Sequence, residues 1–154
     1  MTIRQALPTD AQTIQKLVHK TIKEIYPHYY PQGAVAFFLV HHSIETIAAD
    51  IAEKQVYVIE KEVICGTVTL KDNEIGRLFV LPEYQGHGYG RILLDFAEMT
   101  IASHSHQIFL DASLPSKRIY LNRNYREVDS HCISVKNGDY LCYDVMEKTI
   151  PADK

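Results

Sequence analysis

Apolar residues recur in two rhythms along this chain. Ile14, Leu17, Val18, Thr21, Ile22 and Ile25 follow the period of a helix buried on one face. A short strand candidate, Ile3 to Ala6, precedes them. Pro8-Thr9-Asp10 supplies the helix start, with Thr9 or Asp10 as N-cap. Tyr26-Pro27-His28-Tyr29-Tyr30-Pro31 must end the helix, because proline and the residue before it avoid that conformation. A second helical region runs from about Gly33 to Lys54, and Ser43 can cap a restart within it. The rhythm then changes. Gln55 to Glu60, Val63 to Leu70 and Ile75 to Leu81 are rich in branched and aromatic residues and read as strands, with turns at Lys61-Glu62 and Lys71-Asp72-Asn73. Ile92, Leu93, Phe96, Ala97, Thr100 and Ile101 restore the helical period. Gln107 to Asp111 reads as a buried strand. Pro115 sits in the first turn of a short helix through Asn124. Glu127 to Val135 and Tyr140 to Glu147 form a last hairpin about Asn137-Gly138, a type I′ signature. Pro151 onward is expected to fray. The order β-α-α-β-β-β-α-β-α-β-β predicts an α/β (α+β) fold, a mixed sheet with helices on both faces. No linker or repeat divides the chain, so residues 1–154 read as one domain.

Composition narrows the function. The formal net charge is −3, which favours neither a nucleic-acid surface nor an anionic membrane. No uninterrupted apolar run long enough to span a bilayer is present, and Met1 to Asp10 lacks the blocks of a signal peptide. Cys65, Cys132 and Cys142 are odd in number and not in metal spacing, so no metal is expected. A reduced, cytoplasmic setting fits best. Cys132 and Cys142 do fall near each other across the last hairpin, and a disulfide there is the alternative that such a compartment disfavours.

The stretch from Phe79 to Arg91 carries the chemistry. Pro82 ends the strand, and Gly86, Gly88 and Gly90 lead straight into a helix N-terminus. Glycines allow positive φ and let backbone N–H groups approach a ligand. A helix start adds unpaired N–H groups and a dipole that favours an anion. The physical reading is a pyrophosphate cradle. It lacks the Lys-Ser/Thr pair of a nucleoside-triphosphate loop and the Gly-x-Gly-x-x-Gly of a dinucleotide fold.

Gln85-x-x-Gly88-x-Gly90, directly after Leu78-Phe79-Val80-Leu81-Pro82, resembles the coenzyme A loop of the GNAT superfamily of N-acetyltransferases. The element order and the opening Ile3-Arg4-x-Ala6-x-Pro8-x-Asp10 are also similar to that superfamily, so the resemblance covers roughly Ile3 to Lys148. It implies a GNAT-type mixed sheet of about six to seven strands and acetyl-CoA as co-substrate. It implies that the backbone of Leu78, Phe79 and Val80 pairs with the pantetheine arm. The segment Gln85, Gly86, His87, Gly88, Tyr89, Gly90 and Arg91 would hold the pyrophosphate, and a backbone N–H near Val80 or Leu81 would face the thioester oxygen. Tyr120-Leu121-Asn122-Arg123-Asn124-Tyr125 resembles the family's Tyr-x-x-x-Gly-Phe, which implies Tyr120 near the coenzyme sulfur as proton donor to the leaving thiolate. Asn124 replaces the glycine that ends the helix in the left-handed conformation, where asparagine is the usual second choice. Tyr125 suits the Phe position if its hydroxyl finds a partner. Ser113 stands where many members carry an Asn that contacts the coenzyme arm.

The general base is open between several groups. Strand alternation would put Glu74, Gly76, Leu78 and Val80 on one face, with Gly76 leaving room for a substrate. The resemblance implies a Glu or His base near the position of Glu74, on the side of the reacting carbonyl. Asp111, His41, His42 and a water chain are the rivals. The acceptor site is expected on the first helices and their connection, where Tyr26, His28, Tyr29, Tyr30, Phe37, Phe38, His41 and His42 could form an aromatic wall. Lys117, Arg118, Arg123 and Arg126 form a basic cluster, either a ribose-phosphate site or a solvated face. The reading that follows is N-acetyl transfer to a primary amine, most readily of a small molecule. A protein N-terminal or lysine acetyltransferase, and a regulatory module that binds acyl-CoA without catalysis, are the alternatives. The last hairpin's free edge leaves a homodimer possible.

Overall fold

In the computed structural model, which describes residues 1–151, seven strands form one sheet in the order β1-β2-β3-β4-β5-β7-β6. The strands are β1 (Thr2–Gln5), β2 (Val56–Glu60), β3 (Ile64–Lys71), β4 (Glu74–Val80), β5 (Gln107–Ala112), β6 (Arg126–Ser134) and β7 (Tyr140–Thr149). All neighbours are antiparallel except β4 and β5. The helices are α1 (Ala11–Ile25), α2 (Gln32–His41), α3 (Ile44–Ala52), α4 (Tyr89–Ala102) and α5 (Lys117–Asn122). The expected tail beyond Pro151 lies outside the described residues.

Each sheet face has its own core. Ile14, Val18 and Ile22 of α1 pack with Ile47 of α3 and Val58 of β2 on one side. Leu93, Leu94, Ala97 and Ile101 of α4 pack with Val68, Ile75 and Leu110 on the other. The apolar stripes read from the sequence therefore mark the two cores, as burial of such faces requires. Small boundary differences have local causes. Asp10 does not cap α1 in the usual way. It sits at the end of a 3-10 turn (Pro8–Asp10), where its carboxylate accepts from the Leu7 N–H at 2.8 Å and pairs with Arg4. Pro115 lies just ahead of α5, in a turn closed by Ser113.

The stretch Gln32–Ala52 has a window of mean hydropathy 1.3 and is long enough to cross a membrane by length and composition. The structure splits it at Ser43, whose hydroxyl accepts from the Thr46 N–H and caps α3. The buried Asp50 of α3 is ion-paired rather than facing a uniformly apolar environment. The start of α2 meets the turn between β6 and β7. The Gly33 N–H donates to Asp139 at 2.9 Å, and a Cβ at Gly33 would collide with the Lys136 carbonyl. That turn carries positive φ at Asn137 and Gly138, as a type I′ turn demands. The hairpin tip is thereby tied over α2.

The disulfide that the expected reducing compartment disfavours is formed. Cys132 and Cys142 stand directly opposite in register, with Cα atoms 4.0 Å apart, and are bonded. Cys65 is free and buried. Direct opposition in an antiparallel pair brings the side chains within reach, a geometry that a count of cysteines does not contain.

Candidate active site

β4 and β5 pair only at Glu74↔Phe109 and Ile75↔Leu110, then part. The gap opens where β4 runs on through Gly76 to Val80 and into the glycine loop. A β-bulge shapes this run: Thr67 faces Phe79 and Thr69 faces Gly76, so β4 spends one residue more than β3. Arg77 takes φ +44° at the bulge. The expected alternation is broken as a result. Glu74, Gly76 and Phe79 border the cavity on the α1–α3 side, whereas Leu78 and Val80 pack with the α4 core. Glu74 and Gly76 thus do not share a face with Leu78 and Val80, because one extra residue inverts every side chain after it.

The bulge is held by charge. Arg77 Nη1 donates to Asp50 Oδ2 at 3.0 Å and to Thr69 Oγ1 at 3.1 Å, and its Nε donates to His42 Nδ1 at 3.2 Å. Lys71 Nζ lies 3.0 Å from the other Asp50 oxygen. Sequence reading gave Arg77 no role. Its signal was an arginine inside an apolar strand and an aspartate inside an apolar helix, each costly to bury alone.

Just past β4 the Leu81 N–H is taken by the Cys65 carbonyl at 2.8 Å. Of the two N–H groups expected near a thioester oxygen, Leu81's is therefore already committed. Val80 stands opposite Gly66 in a pair that exchanges no hydrogen bonds, so its N–H and C=O turn away from β3 toward the gap. The Val80 carbonyl accepts from Gln85 Nε2 at 2.9 Å, which pins the loop. Gly86 and Gly88 adopt φ of +81° and +86°, and Gly88 is the N-cap of α4. Arg91 extends its guanidinium past Gly88. His87 lies beside Tyr89, ring centroids 6.3 Å apart.

Two cavities meet at this gap. One, of about 350 Å³, is lined by Leu78, Phe79, Val80, Gln85, Gly86, Gly88, Tyr89 and Gly90, and closed by Tyr26, Tyr29, Pro115 and Ile119. The other, of about 260 Å³, is lined by Phe37, Phe38, His41, His42, Glu74, Gly76, Asp111, Ser113 and Tyr143. Tyr120 borders both. Its ring is 6% exposed and its hydroxyl has no hydrogen-bond partner among the described residues. No fully buried side-chain nitrogen or oxygen there lacks a partner, so the hydroxyl opens to the cavities. Burial, then the neighbouring Tyr26, pushes it well above the usual tyrosine range. Ser113 Oγ lies 2.6 Å from Ser116 Oγ and 3.4 Å from the Tyr26 hydroxyl. Asn124 has φ +71°, and the Tyr125 hydroxyl donates to Glu98 at 3.0 Å.

The remaining candidates separate. Glu74 and Asp111 border the second cavity without an arginine or lysine partner among the described residues. Both are raised above the ordinary carboxylate range, chiefly by burial, and Asp111 adds to the shift at Glu74. His42 is not a surface residue. It is buried, and burial with the Arg77 charge lowers it to about 3, too weak for a base at neutral pH. His41 stacks on Phe37 at 5.8 Å and is lowered, first by burial. Tyr30 turns inward, accepts from the Leu114 N–H at 2.7 Å and backs the wall from behind, its ring 5.6 Å from Tyr26 and 5.1 Å from Phe38, whereas His28 is exposed and stands outside it. Ile133, Leu141 and Tyr143 of the last hairpin do join it, a contribution the sequence reading missed because β6 and β7 lie far from α2 along the chain. The basic cluster is mostly spent: Lys117 pairs with Glu127 and Asp144, Arg123 with Asp95 and Glu98, and Arg126 with Glu147.

A family model for the acetyltransferase (GNAT) domain matches residues 25–146. The chain belongs to the GNAT acetyltransferase family. It is accordingly an acyltransferase of the acetyl-CoA-dependent kind. Among solved structures, it is similar to a GCN5-related N-acetyltransferase from Rhodopseudomonas palustris, with 23% identity, TM-score 0.87, and coverage of 97% of this chain and 95% of that one. It is also similar to the PaiA N-acetyltransferase from Thermoplasma acidophilum in complex with coenzyme A, at 18% identity and TM-score 0.70 over 96% and 98% of the two chains. A putative acetyltransferase from Salmonella typhimurium with its cofactor acetyl-CoA gives 18% identity and TM-score 0.74 over 100% and 96%. No curated protein matches the chain. At these identities the structural likeness establishes the fold, a seven-stranded GNAT sheet.

Proposed function

We propose that residues 1–154 form one N-acetyltransferase domain that moves the acetyl group of acetyl-CoA to a primary amine of a small molecule, by direct attack in a ternary complex. The observation that carries this is the gap between β4 and β5, with the glycine-loop cavity on one side, the carboxylate-lined cavity on the other, and Tyr120 at their junction. The loop from Gln85 to Arg91, with N–H groups free at the start of α4, holds the pyrophosphate. The backbone of Leu78, Phe79 and Val80 receives the pantetheine arm, and Ser113 and Tyr120 border its end. The outward N–H of Val80 faces the thioester oxygen. Such a donor is worth about 3–4 kcal/mol in the transition state. Tyr120 gives its proton to the leaving thiolate. The hydroxyl is protonated at neutral pH, the state a proton donor needs. Glu74 takes the proton of the attacking amine. A site of about 260 Å³ favours a compact acceptor.

Purified protein titrated with acetyl-CoA should be stabilised against heat, as mass action requires of a ligand of the folded state. Adding amines should then release free thiol with one amine class. Stabilisation with no thiol release for any amine would support a coenzyme-binding module instead.

The pH dependence tests Glu74. The base works ionised, so kcat should fall as pH drops through a pKa raised above the ordinary carboxylate value. Glu74→Gln should lower kcat by roughly 10²-fold and remove that limb. A limb that persists in Glu74→Gln but disappears in Asp111→Asn would transfer the role to Asp111.

A further inference from the structure

The second cavity holds a polar group that proton transfer leaves without a task. His42 follows α2 directly and is 8% exposed. Its Nδ1 lies 3.2 Å from Arg77 Nε. A guanidinium Nε always carries hydrogen, so Nδ1 is the acceptor and the neutral ring bears its own hydrogen on Nε2. Arg77 is fixed by Asp50 and Thr69 beneath the bulge. The charged and titratable groups around the ring are Arg77 from β4, His41 beside it, and His19 from α1, whose Nε2 lies 2.8 Å from the His42 carbonyl. Asp50 stands behind Arg77, and Glu74 and Asp111 border the same cavity. Nε2 has no partner among the described residues. No fully buried side-chain nitrogen or oxygen there lacks one, so Nε2 keeps an opening, and the space His42 lines is this cavity.

We propose that His42 is a specificity-determining residue whose fixed Nε2–H donates to a neutral oxygen of the acceptor, so that the substrates are compact amines bearing a hydroxyl or amide oxygen. This deepens the acetyl-transfer reading and rests on it. Each rival class meets an obstacle. An amino acid would bring its carboxylate toward Glu74 and Asp111, and the arginine in this cavity is already committed to Asp50. A plain alkylamine leaves the Nε2–H unpaired when the cavity closes on it. A diamine would turn its second ammonium to Asp111 and leave the Nε2–H unpaired. Gly76, with nothing within 4 Å of its would-be Cβ, leaves the passage past Glu74 open.

The test measures thiol release from acetyl-CoA with matched amino alcohols, alkylamines, diamines and amino acids of equal chain length. The kcat/KM of the amino alcohol should exceed that of the alkylamine by about tenfold. That ratio should collapse toward one in His42→Phe and recover in part in His42→Gln, whose amide N–H reaches the Nε2 position. In wild type, ring nitrogen shifts should report the Nε2–H tautomer, unchanged between about pH 5.5 and 8. An Nδ1–H tautomer, a titration in that window, equal kcat/KM for alcohol and alkylamine, or a preference for amino acids or diamines would overturn the inference alone. Failure of every amine to release thiol from bound acetyl-CoA would overturn the acetyl-transfer reading beneath it.

Discussion

Tyr120→Phe should lower kcat by roughly 10²- to 10³-fold, the range a positioned general acid supplies. The substitution removes one hydroxyl and keeps the ring. That ring packs edge-on against Tyr125 with centroids 5.6 Å apart and is almost wholly buried, so the fold should keep its stability. The hydroxyl gives up no hydrogen bond within the described residues, which separates a catalytic loss from a structural one. Steady-state thiol release measures kcat, and calorimetry measures acetyl-CoA affinity, which should stay within about threefold because one uncharged contact is worth little. The loss should shrink with an acyl donor whose thiol is more acidic, since such a leaving group needs less help from an acid. An unaltered kcat would remove Tyr120 from the mechanism.

Gly88→Val should weaken acetyl-CoA binding by about 100-fold or more. Gly88 holds φ +86° as the N-cap of α4, and a branched side chain disfavours that conformation strongly. If the backbone moves to relieve the strain, the N–H groups at the helix start lose their common aim. Hydrogen bonds to charged groups are worth about 1.5–3 kcal/mol each, so losing one or two gives that loss of affinity. Gly90→Ala is the comparison. Gly90 does not require positive φ, and its Cβ would make an ordinary contact 3.9 Å from Val80. Its thermal stability should therefore lie close to wild type, whereas Gly88→Val should melt lower. Equal coenzyme affinity in wild type and Gly88→Val would place the pyrophosphate elsewhere.

Much of this was legible from nearest neighbours in sequence. The stripe Ile14, Leu17, Val18, Ile22 marks a helix face wherever it packs. Ser43 marks a helix start inside an apolar stretch, and Asn137-Gly138 marks one turn type. Asn124 takes the left-handed conformation expected of the residue that replaces a glycine there. The glycine loop needs only its own backbone and the helix it begins. Each of these rests on interactions within a few residues, so local pattern suffices.

Other features depended on partners distant in the chain. The bulge at Arg77 inverted the expected face of Glu74 and Gly76 relative to Leu78 and Val80, and its anchor is Asp50, on another element. The parting of β4 from β5 follows from strands separated by the whole of α4. The basic residues near α5 read as a free cluster until Glu127 and Asp144 proved to hold Lys117, and Glu98 to hold Arg123. His42 read as a rival general base until burial and the Arg77 contact gave its ring another part. The amino-acid order thus specified the elements, their sequence and the loop, because propensity and periodicity act locally. Folding in three dimensions selected which charges cancel, which side chains face the gap and which hydrogen bonds stay open, because those are set by register and burial between distant segments.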